Sequence, residues 1–208
     1  MRYLLAALAL YSSTVAAQTR TDEALLTVLL KGESVPVPVL RAMYREAEAA
    51  FAPSGVKLNW GFSQDVQGTG VSGQMAIIEL RGQCGSGAPA RVVRSAPGEG
   101  SEPLGQTHMV NGKVLPIADV LCDAVHQLVD RDLRAAQAGE REELLGRALG
   151  RVLAHELYHI MLRTTDHARS GLLRPALTSA ELLAPHSAIG ERDEHRIADS
   201  AGTDSGGR

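Results

Sequence analysis

The sequence predicts an α+β fold with a mixed sheet, and three observations support this class. Residues 56–60 alternate between apolar and polar side chains as a half-buried strand does, and residues 74–81 form a second, more apolar strand. Asn111-Gly112, between two strand-like segments, is a strong signal for a β-hairpin. Residues 140–163 have apolar side chains at helical spacing and predict the longest helix.

Turn and capping residues delimit the first half of the chain. Residues 22–31 are expected to form a short helix or strand. Pro36 and Pro38 introduce a helix that runs to about residue 52, because proline is tolerated in the first helical turn. Residues 53–55, a Pro-Ser-Gly run, then end this helix before the first of the two strands.

The second half contains an insertion, the hairpin and a further helix. Residues 83–100 are rich in Gly, Ser, Ala and Pro, which indicates an irregular surface segment. Segments 104–110 and 113–117 are the two arms of the hairpin. Residues 119–136 are expected to form a helix that leads into the longest one.

The amino terminus has the three-part layout of a secretory signal peptide. Arg2 precedes the apolar run 3–11, and the small-residue site Val15-Ala16-Ala17 follows, with cleavage expected after Ala17. The run is too short for a transmembrane helix. The mature protein is therefore expected to be secreted or periplasmic, without insertion into a membrane.

The domain organisation follows from this start and from composition. Residues 1–17 are the signal peptide, 18–185 form a single domain, and 186–208 are a polar segment expected to be a flexible tail. The formal net charge is −3 and no basic cluster occurs, which argues against nucleic acid and acidic membrane surfaces as partners. The sequence does not indicate an oligomeric state.

Cys84 and Cys122 are the two cysteines of the chain. In an oxidising compartment an even pair favours a disulfide, which stabilises a fold by roughly 3–4 kcal/mol in the chain-entropy model. They do not form a CxxC pair, so they are poor candidates for zinc ligands. Two buried free thiols are the alternative.

The longest helix contains the residues with the clearest chemical role. Residues 155–159 have the sequence HELYH, an HExxH motif. His155 and His159 lie on one helix face about one turn apart, so both imidazoles can reach one metal ion. Glu156 lies near the same edge and can act as general base toward a zinc-activated water. The alternative is a set of ordinary polar residues on an amphipathic helix.

Two glycines precede the motif in the same helix. Gly146 and Gly150 weaken a helix intrinsically, because glycine loses more conformational freedom than other residues on folding. They also allow close approach of a neighbouring element. We therefore expect another element to pack tightly against this part of the helix.

A zinc site of this kind needs a third protein ligand and leaves the fourth position to water. Residues 164–166 are poor helix formers, so the chain is expected to turn there. His167, eight residues beyond His159, is the preferred ligand, because three imidazoles from one helix–loop unit need no long-range alignment. Asp166 and Glu181 are the alternatives, and Glu181 would supply a carboxylate from a second helix.

The run 145–175, LGRALGRVLAHELYHIMLRTTDHARSGLLRP, resembles exported bacterial zinc metallopeptidase-like proteins. In these proteins HExxH is followed by seven residues and a further His, commonly with Ser-x-x-Gly-Leu-Met-Arg after it. The arrangement is similar to the metzincins, where a third His completes the zinc site and a Met-containing turn underlies it. The resemblance implies a small zincin-like metallopeptidase domain with an HExxH active-site helix.

Carried onto this chain, the resemblance implies one Zn2+ bound by His155, His159 and His167, with Glu156 as the catalytic base. The turn falls on residues 171–174. The chain departs from the metzincin pattern in two ways. The third histidine comes two residues later and the glycine after the second histidine is missing, and Leu173 stands where the turn has its methionine.

The expected function is that of an extracytoplasmic zinc peptidase that hydrolyses peptide bonds in a peptide or protein substrate. The hairpin at 104–117 is a candidate edge along which an extended peptide could bind. His108 in it could contact the substrate, but it is expected to be a surface histidine. Asp119 and Asp123 could orient a zinc imidazole, but an acidic residue at a helix start that interacts with the helix dipole is the simpler explanation for both. The alternative function is a non-catalytic, zinc-stabilised binding protein derived from a metallopeptidase.

Overall fold

The structure is a computed structural model that describes residues 24–32, 34–65, 74–87, 103–185 and 189–203. The strands of these ranges are β1 (Ala24–Gly32), β2 (Val56–Phe62), β3 (Gln74–Arg81), β4 (Gly105–Val110) and β5 (Lys113–Leu121). The helices are α1 (Val37–Phe51), α2 (Cys122–Ala135), α3 (Ala138–Leu162), α4 (Ser179–Leu183) and α5 (Glu191–Thr203).

The five strands form one mixed sheet in the order β2–β1–β3–β5–β4, which confirms the α+β class. β1 pairs in parallel with β2 and β3, and β3 pairs in parallel with β5. β4 runs antiparallel to β5, and Asn111 and Gly112 turn the hairpin with positive φ angles of 51° and 74°. The choice left open at the start of the domain is resolved as strand β1, whose residues 26–30 are all buried.

Helix α1 packs closely against α3, and the two glycines of α3 make this approach possible. A Cβ atom added at Gly146 would lie 2.5 Å from the Cβ of Ala42, and one added at Gly150 would lie 2.5 Å from the carbonyl oxygen of Met43. Both distances are far below van der Waals contact, so no larger side chain fits without movement. The expectation that these glycines admit a neighbouring element is confirmed.

The C-terminal segment differs from the flexible tail predicted for residues 186–208. Most of it forms helix α5, whose Ile197 is fully buried. The Tyr158 hydroxyl of α3 donates a hydrogen bond of 3.1 Å to the carboxylate of Asp193 in α5. A few apolar residues pack helix α5 against the domain. Because the rest of the segment is very polar, its composition alone does not predict this packing.

A second difference concerns the helix predicted over residues 119–136. Strand β5 continues through Leu121, and the helix begins only at Cys122. Val120 is fully buried in the sheet, where it is in register with Leu80 of β3. The pairing of β5 with both its neighbours thus outweighs the local tendency of these residues to start a helix.

Four predictions fall wholly or partly on residues outside the described ranges. These are the signal peptide at 1–17, the first two residues of the segment at 22–31, most of the insertion at 83–100, and residues 186–188 and 204–208 of the polar segment. Among the residues that are described, no helix has the length and apolar character needed to cross a membrane.

Cys84 and Cys122 form a disulfide, as predicted. Their Cα atoms lie 4.9 Å apart, and the bond joins the segment after β3 to the first residue of α2. The two cysteines are 38 residues apart in sequence, so the closed loop includes the whole β4–β5 hairpin. The start of α2 and the hairpin are therefore held to the same end of β3.

Candidate metal centre

Helix α3 positions the candidate site, and its two ends are fixed by local contacts. At the start, the backbone N–H of Gln137 donates to the Glu140 side chain at 3.4 Å. At the end, Arg163 adopts a left-handed conformation with φ 49° and ψ 41°. The N–H of Thr164 then donates to the carbonyl oxygen of His159 at 3.2 Å. The chain therefore leaves the helix one turn after His159, as the poor helix formers at 164–166 predict.

The three predicted histidines come together at this end of α3. One ligand atom from each of His155, His159 and His167 lies within 4.8 Å of the other two. The Nε2 atoms of His155 and His159 are 3.0 Å apart. His155 and His159 are buried, whereas His167 is exposed. In the part of the chain that the structure describes, this is the one group of His, Cys, Asp or Glu side chains arranged to hold a metal ion.

Backbone carbonyls fix the orientation of the two buried imidazoles. His155 Nδ1 lies 2.9 Å from the carbonyl oxygen of Leu172, and His159 Nδ1 lies 2.9 Å from that of Thr164. Because a carbonyl can only accept, each Nδ1 carries the proton and each Nε2 presents a lone pair. This tautomer is the one that a metal-ligating imidazole held by a backbone carbonyl adopts.

The two facing lone pairs fit a cation between them. Burial lowers the pKa of His155, and burial with the charge of His155 lowers the pKa of His159 to about 4. Both rings are therefore neutral at pH 7, and their Nε2 atoms approach each other without a proton to share. Ligand nitrogens about 2.1 Å from one tetrahedral ion would be about 3.4 Å apart. The three-histidine group could hold a metal ion after small side-chain rotations.

Glu156 is buried in the same site and contacts strand β4. The Thr107 hydroxyl donates to Glu156 Oε2 at 2.6 Å. A Cβ atom added at Gly105 would lie 2.6 Å from Glu156 Oε1, so only glycine leaves room for the carboxylate there. Burial raises the pKa of Glu156 to about 7, with a smaller contribution from the charge of Asp119, against the lowering effect of Thr107. Such a pKa suits a group that exchanges protons near neutral pH.

The three histidines and Glu156 line a cleft with a volume of about 600 Å³. One wall is formed by β4 and another by the first turns of α2, and the segment after His167 completes it. Much of the lining is apolar, including Leu104, Val114, Ala124, Leu128, Val152 and Leu177. The cleft therefore combines a group that could hold a metal ion, an ionisable carboxylate and a largely apolar surface, which is the usual composition of a small-molecule or peptide site.

The turn after His167 lies beneath the site. Residues Gly171–Leu173 form a 3₁₀ turn, in which Leu172 and Leu173 are buried. The carbonyl of Leu172 is the acceptor that holds His155. Leu173 thus provides an apolar base for the turn, and the backbone beside it orients a histidine.

The alternative third ligands do not join the group. Asp166 and Glu181 are both absent from the metal-binding cluster. The Glu181 carboxylate instead accepts hydrogen bonds from Thr178 and pairs with Arg174. Of the three candidate positions, His167 is the one that lies with His155 and His159.

The two aspartates considered for orienting a zinc imidazole have other partners. Asp119 forms an ion pair with Arg81 Nε at 3.2 Å and lies 3.0 Å from His108 Nε2. Asp123 accepts from the backbone N–H of Gln83 at 3.1 Å. Backbone carbonyls orient His155 and His159, so neither aspartate orients these two imidazoles. Asp123 lies in the first turn of α2, as a helix-start acid does, whereas Asp119 lies in β5.

Sequence reasoning missed Gly105 and Thr107, which hold Glu156 in place. They lie on β4, 51 and 49 residues before Glu156 in the chain, and no local spacing links them to the motif. The hairpin signal places both residues on a strand, but the face that meets α3 depends on the pairing of the whole sheet.

Comparisons of this chain with protein families, with curated proteins and with solved structures found no match. The chemical interpretation of the site therefore rests on its own residues and geometry.

Proposed function

We propose that the protein is a zinc-dependent peptidase with a small zincin-like domain that acts outside the cytoplasm. One observation carries the proposal: three histidines arranged to hold a metal ion share a cleft with Glu156, a buried carboxylate with a raised pKa. This combination matches the requirements of metal-assisted hydrolysis, which needs a neutral ligand set and a nearby proton acceptor. The resemblance of residues 145–175 to exported zinc metallopeptidase-like proteins points the same way.

Zinc is the ion we propose, because imidazole is among its preferred ligands and a three-histidine set is typical of its catalytic sites. When bound, zinc supplies Lewis-acid chemistry that polarises a carbonyl and acidifies water. The carbonyls of Leu172 and Thr164 keep both buried Nε2 atoms free to bind it. One ion per chain is expected.

Glu156 is proposed to move the proton during hydrolysis. It takes a proton from the attacking water and delivers it to the nitrogen of the leaving group. Thr107 holds one carboxylate oxygen and Gly105 leaves room for the other, so the carboxylate has one preferred orientation. With a pKa of about 7, the group can both accept and release a proton at neutral pH.

The edge of the sheet provides a place for an extended substrate. β4 is the last strand in the sheet order, and Gly105, Gln106 and Thr107 line the cleft. A peptide can add to such an edge through backbone hydrogen bonds, which suit many sequences. The proposed substrate is therefore a peptide or a protein segment in extended form.

The disulfide between Cys84 and Cys122 is compatible with a location outside the cytoplasm. The proposed location is the periplasm or the extracellular medium, in agreement with the signal peptide predicted at residues 1–17.

The first test is the metal content of the purified protein, measured for wild type, His167→Ala and His195→Ala. About one zinc per chain is expected in wild type, and removal of His167 is expected to cause most of it to be lost on dialysis, since a three-coordinate site loses one ligand. His195 lies exposed on α5 and serves as the matched control. Well-folded wild-type protein that binds no zinc would contradict the proposal.

The second test separates hydrolysis from binding. Glu156→Gln is expected to retain zinc and to lower the rate of peptide cleavage by about 10²–10⁴-fold, as for a lost general base. Cleavage of a peptide library by both proteins, followed by mass spectrometry, measures this. If wild type binds zinc but cleaves none of the peptides, the non-catalytic binding protein becomes the better interpretation.

A further inference from the structure

Among the described residues that line the cleft, one side chain has a permanent positive charge. Among the residues that line it, Arg174 is the one lysine or arginine and Glu156 is the one carboxylate. Arg174 lines the cleft and its side chain is 41% exposed, so part of it is accessible to a ligand. An accessible positive charge in a largely apolar cleft affects which substrates can bind there.

Two contacts tie the residues that precede Arg174 to the candidate metal-binding group. The N–H of Ala168, which follows His167, donates to the carbonyl oxygen of Leu173 at 2.8 Å. Leu173 immediately precedes Arg174. The carbonyl one residue further back is the one that holds His155. Arg174 is therefore tied, through its neighbours in the chain, to two of the three histidines.

The backbone of Arg174 is fixed on both sides. Leu173 is buried with 1% exposure. Pro175 follows, and a proline ring disfavours the helical conformation of the residue before it. Arg174 has φ −69° and ψ 150°, the extended conformation expected there. Because the backbone is fixed, a ligand that binds the guanidinium loses less entropy than one that must order a loop.

Glu181 pairs with the guanidinium but contacts only one of its nitrogen atoms. Arg174 Nη1 donates to Glu181 Oε1. Oε2 of the same carboxylate accepts from the backbone N–H and the hydroxyl of Thr178, each at 2.8 Å, so Glu181 is itself anchored. Within the described ranges, Nε and Nη2 of Arg174 have no hydrogen-bond partner. A guanidinium has five N–H donors, and the remaining ones are available for a second carboxylate.

We propose that Arg174 binds a carboxylate of the substrate, so that the cleft selects peptides with an acidic side chain or a free C-terminal carboxylate near the cleaved bond. This inference rests on the proposed peptidase function. It makes Arg174 a specificity-determining residue whose guanidinium contacts the substrate at a distance from the reacting carbonyl. The apolar wall would accommodate neighbouring aliphatic side chains.

The test measures binding and does not depend on turnover. Fluorescein-labelled hexapeptides of alanine and leucine are titrated with the zinc-loaded full chain carrying Glu156→Gln, and anisotropy is recorded. One pair of peptides has a free or an amidated C-terminus, and a second, amidated series has one aspartate or asparagine at successive positions. The first pair reports a terminal carboxylate and the second reports an acidic side chain.

We expect the carboxylate peptide of at least one pair to bind about tenfold more tightly than its neutral counterpart, as for one charge-assisted hydrogen bond. In the same background, Arg174→Gln is expected to abolish this difference without weakening the neutral peptide. Arg174→Lys keeps the positive charge but loses the paired N–H donors of the guanidinium, and it is expected to retain part of the affinity difference. Arg169→Gln, an exposed arginine outside the cleft, is the matched control and should change nothing.

Glu181→Gln distinguishes substrate binding from a structural role. Both Glu181→Gln and Arg174→Gln break the same ion pair, so a purely structural pair predicts the same effect from each. If Arg174 binds the substrate, Glu181→Gln removes its competitor and tightens binding of the carboxylate peptide, whereas Arg174→Gln weakens it.

Three outcomes would overturn the inference. In the first, Glu181→Gln and Arg174→Gln change the affinity for the carboxylate peptide in the same direction. In the second, Arg174→Gln weakens charged and neutral peptides equally, and in the third no peptide binds at millimolar concentration. Cleavage of the peptides by wild type is scored separately. The peptides can therefore show the carboxylate preference without being cleaved by wild type. They can also be cleaved by wild type without showing that preference.

Discussion

The two halves of helix α3 use burial in different ways. The first half, up to Gly150, buries apolar side chains such as Leu145 and Leu149, which are fully inaccessible. The second half also buries apolar side chains such as Leu157, but in addition it buries His155, Glu156 and His159, with exposures of 9%, 5% and 6%. Apolar burial stabilises a fold by about 25 cal/mol per Å². Burial of ionisable groups costs free energy, which is visible in their shifted pKa values.

One continuous helix therefore contributes both apolar packing to the core and residues to the candidate metal site. The first half packs against α1, with glycines at the points of closest approach. The second half holds groups that are destabilising in the absence of a metal ion. Substitutions of the buried apolar residues should therefore mainly lower stability, and substitutions of His155, Glu156 or His159 should mainly lower metal binding or the proposed activity.

The largest expected effect on stability comes from Glu156→Gln in the metal-free protein. The folded-state pKa of about 7 lies above the usual value of 4.5. The stability that a raised carboxyl pKa contributes is present below pH 4.5 and is lost as pH rises through about 7. At pH 8 the charged carboxylate therefore costs roughly 3 kcal/mol, at 1.36 kcal/mol per pKa unit, relative to a group that stays neutral.

Urea denaturation at several pH values measures this effect. The free energy of unfolding of the metal-free variant should exceed that of wild type by about 2–3 kcal/mol at pH 8, and the two should be nearly equal at pH 4. A difference that does not change between these pH values would show that ionisation of Glu156 is not its cause.

In the first half of α3, Gly150→Ala is expected to lower the free energy of unfolding by about 2 kcal/mol. The added methyl group would meet the backbone of Met43 at 2.5 Å, and backbone cannot move aside as a flexible side chain can. Gly139→Ala in the first turn of the same helix is the control, since nothing lies within 4 Å of its added Cβ. The control should stabilise by about 0.5–1 kcal/mol. Equal effects at both positions would remove the close contact from the explanation.

The smallest effect concerns the support of Glu156, the proposed catalytic base. Thr107→Val removes the hydroxyl that donates to Glu156 Oε2 at 2.6 Å and keeps the shape of the side chain. We expect kcat to fall about tenfold, or about 1.4 kcal/mol, with zinc content and KM little changed. Thr107→Ser should recover most of the rate. If valine leaves kcat as in wild type, the hydroxyl does not position the base.

The sequence predicts the local part of the site well because the required spacing is local. His155, Glu156 and His159 share one helix, and His167 follows after a short turn, so helix periodicity and turn chemistry suffice to bring the histidines together. Gly105 and Thr107 reach Glu156 only through the pairing of the sheet. Such contacts depend on tertiary structure, so the spacing of residues in the sequence does not predict them.

The fold shows the same division. The hairpin at Asn111-Gly112 and the helix after Pro36 are confirmed, because each has a strong local signal. Helix α5 was missed, since its buried side chains, including Ile197, are too few to form a clear apolar face. The start of α2 was placed too early, because pairing with β3 and β4 extends β5 through Leu121.

The disulfide between Cys84 and Cys122 has a practical consequence for handling the protein. The closed loop holds both arms of the hairpin, and α2 beside it lines the cleft with Ala124, Gln127 and Leu128. Thiol reductants, which are added routinely during purification, would open this loop by thiolate attack on the bond. They are also good zinc ligands and would compete with the histidines. A preparation made in reducing buffer could thus lose its cleft wall and its metal together and be mistaken for an inactive protein.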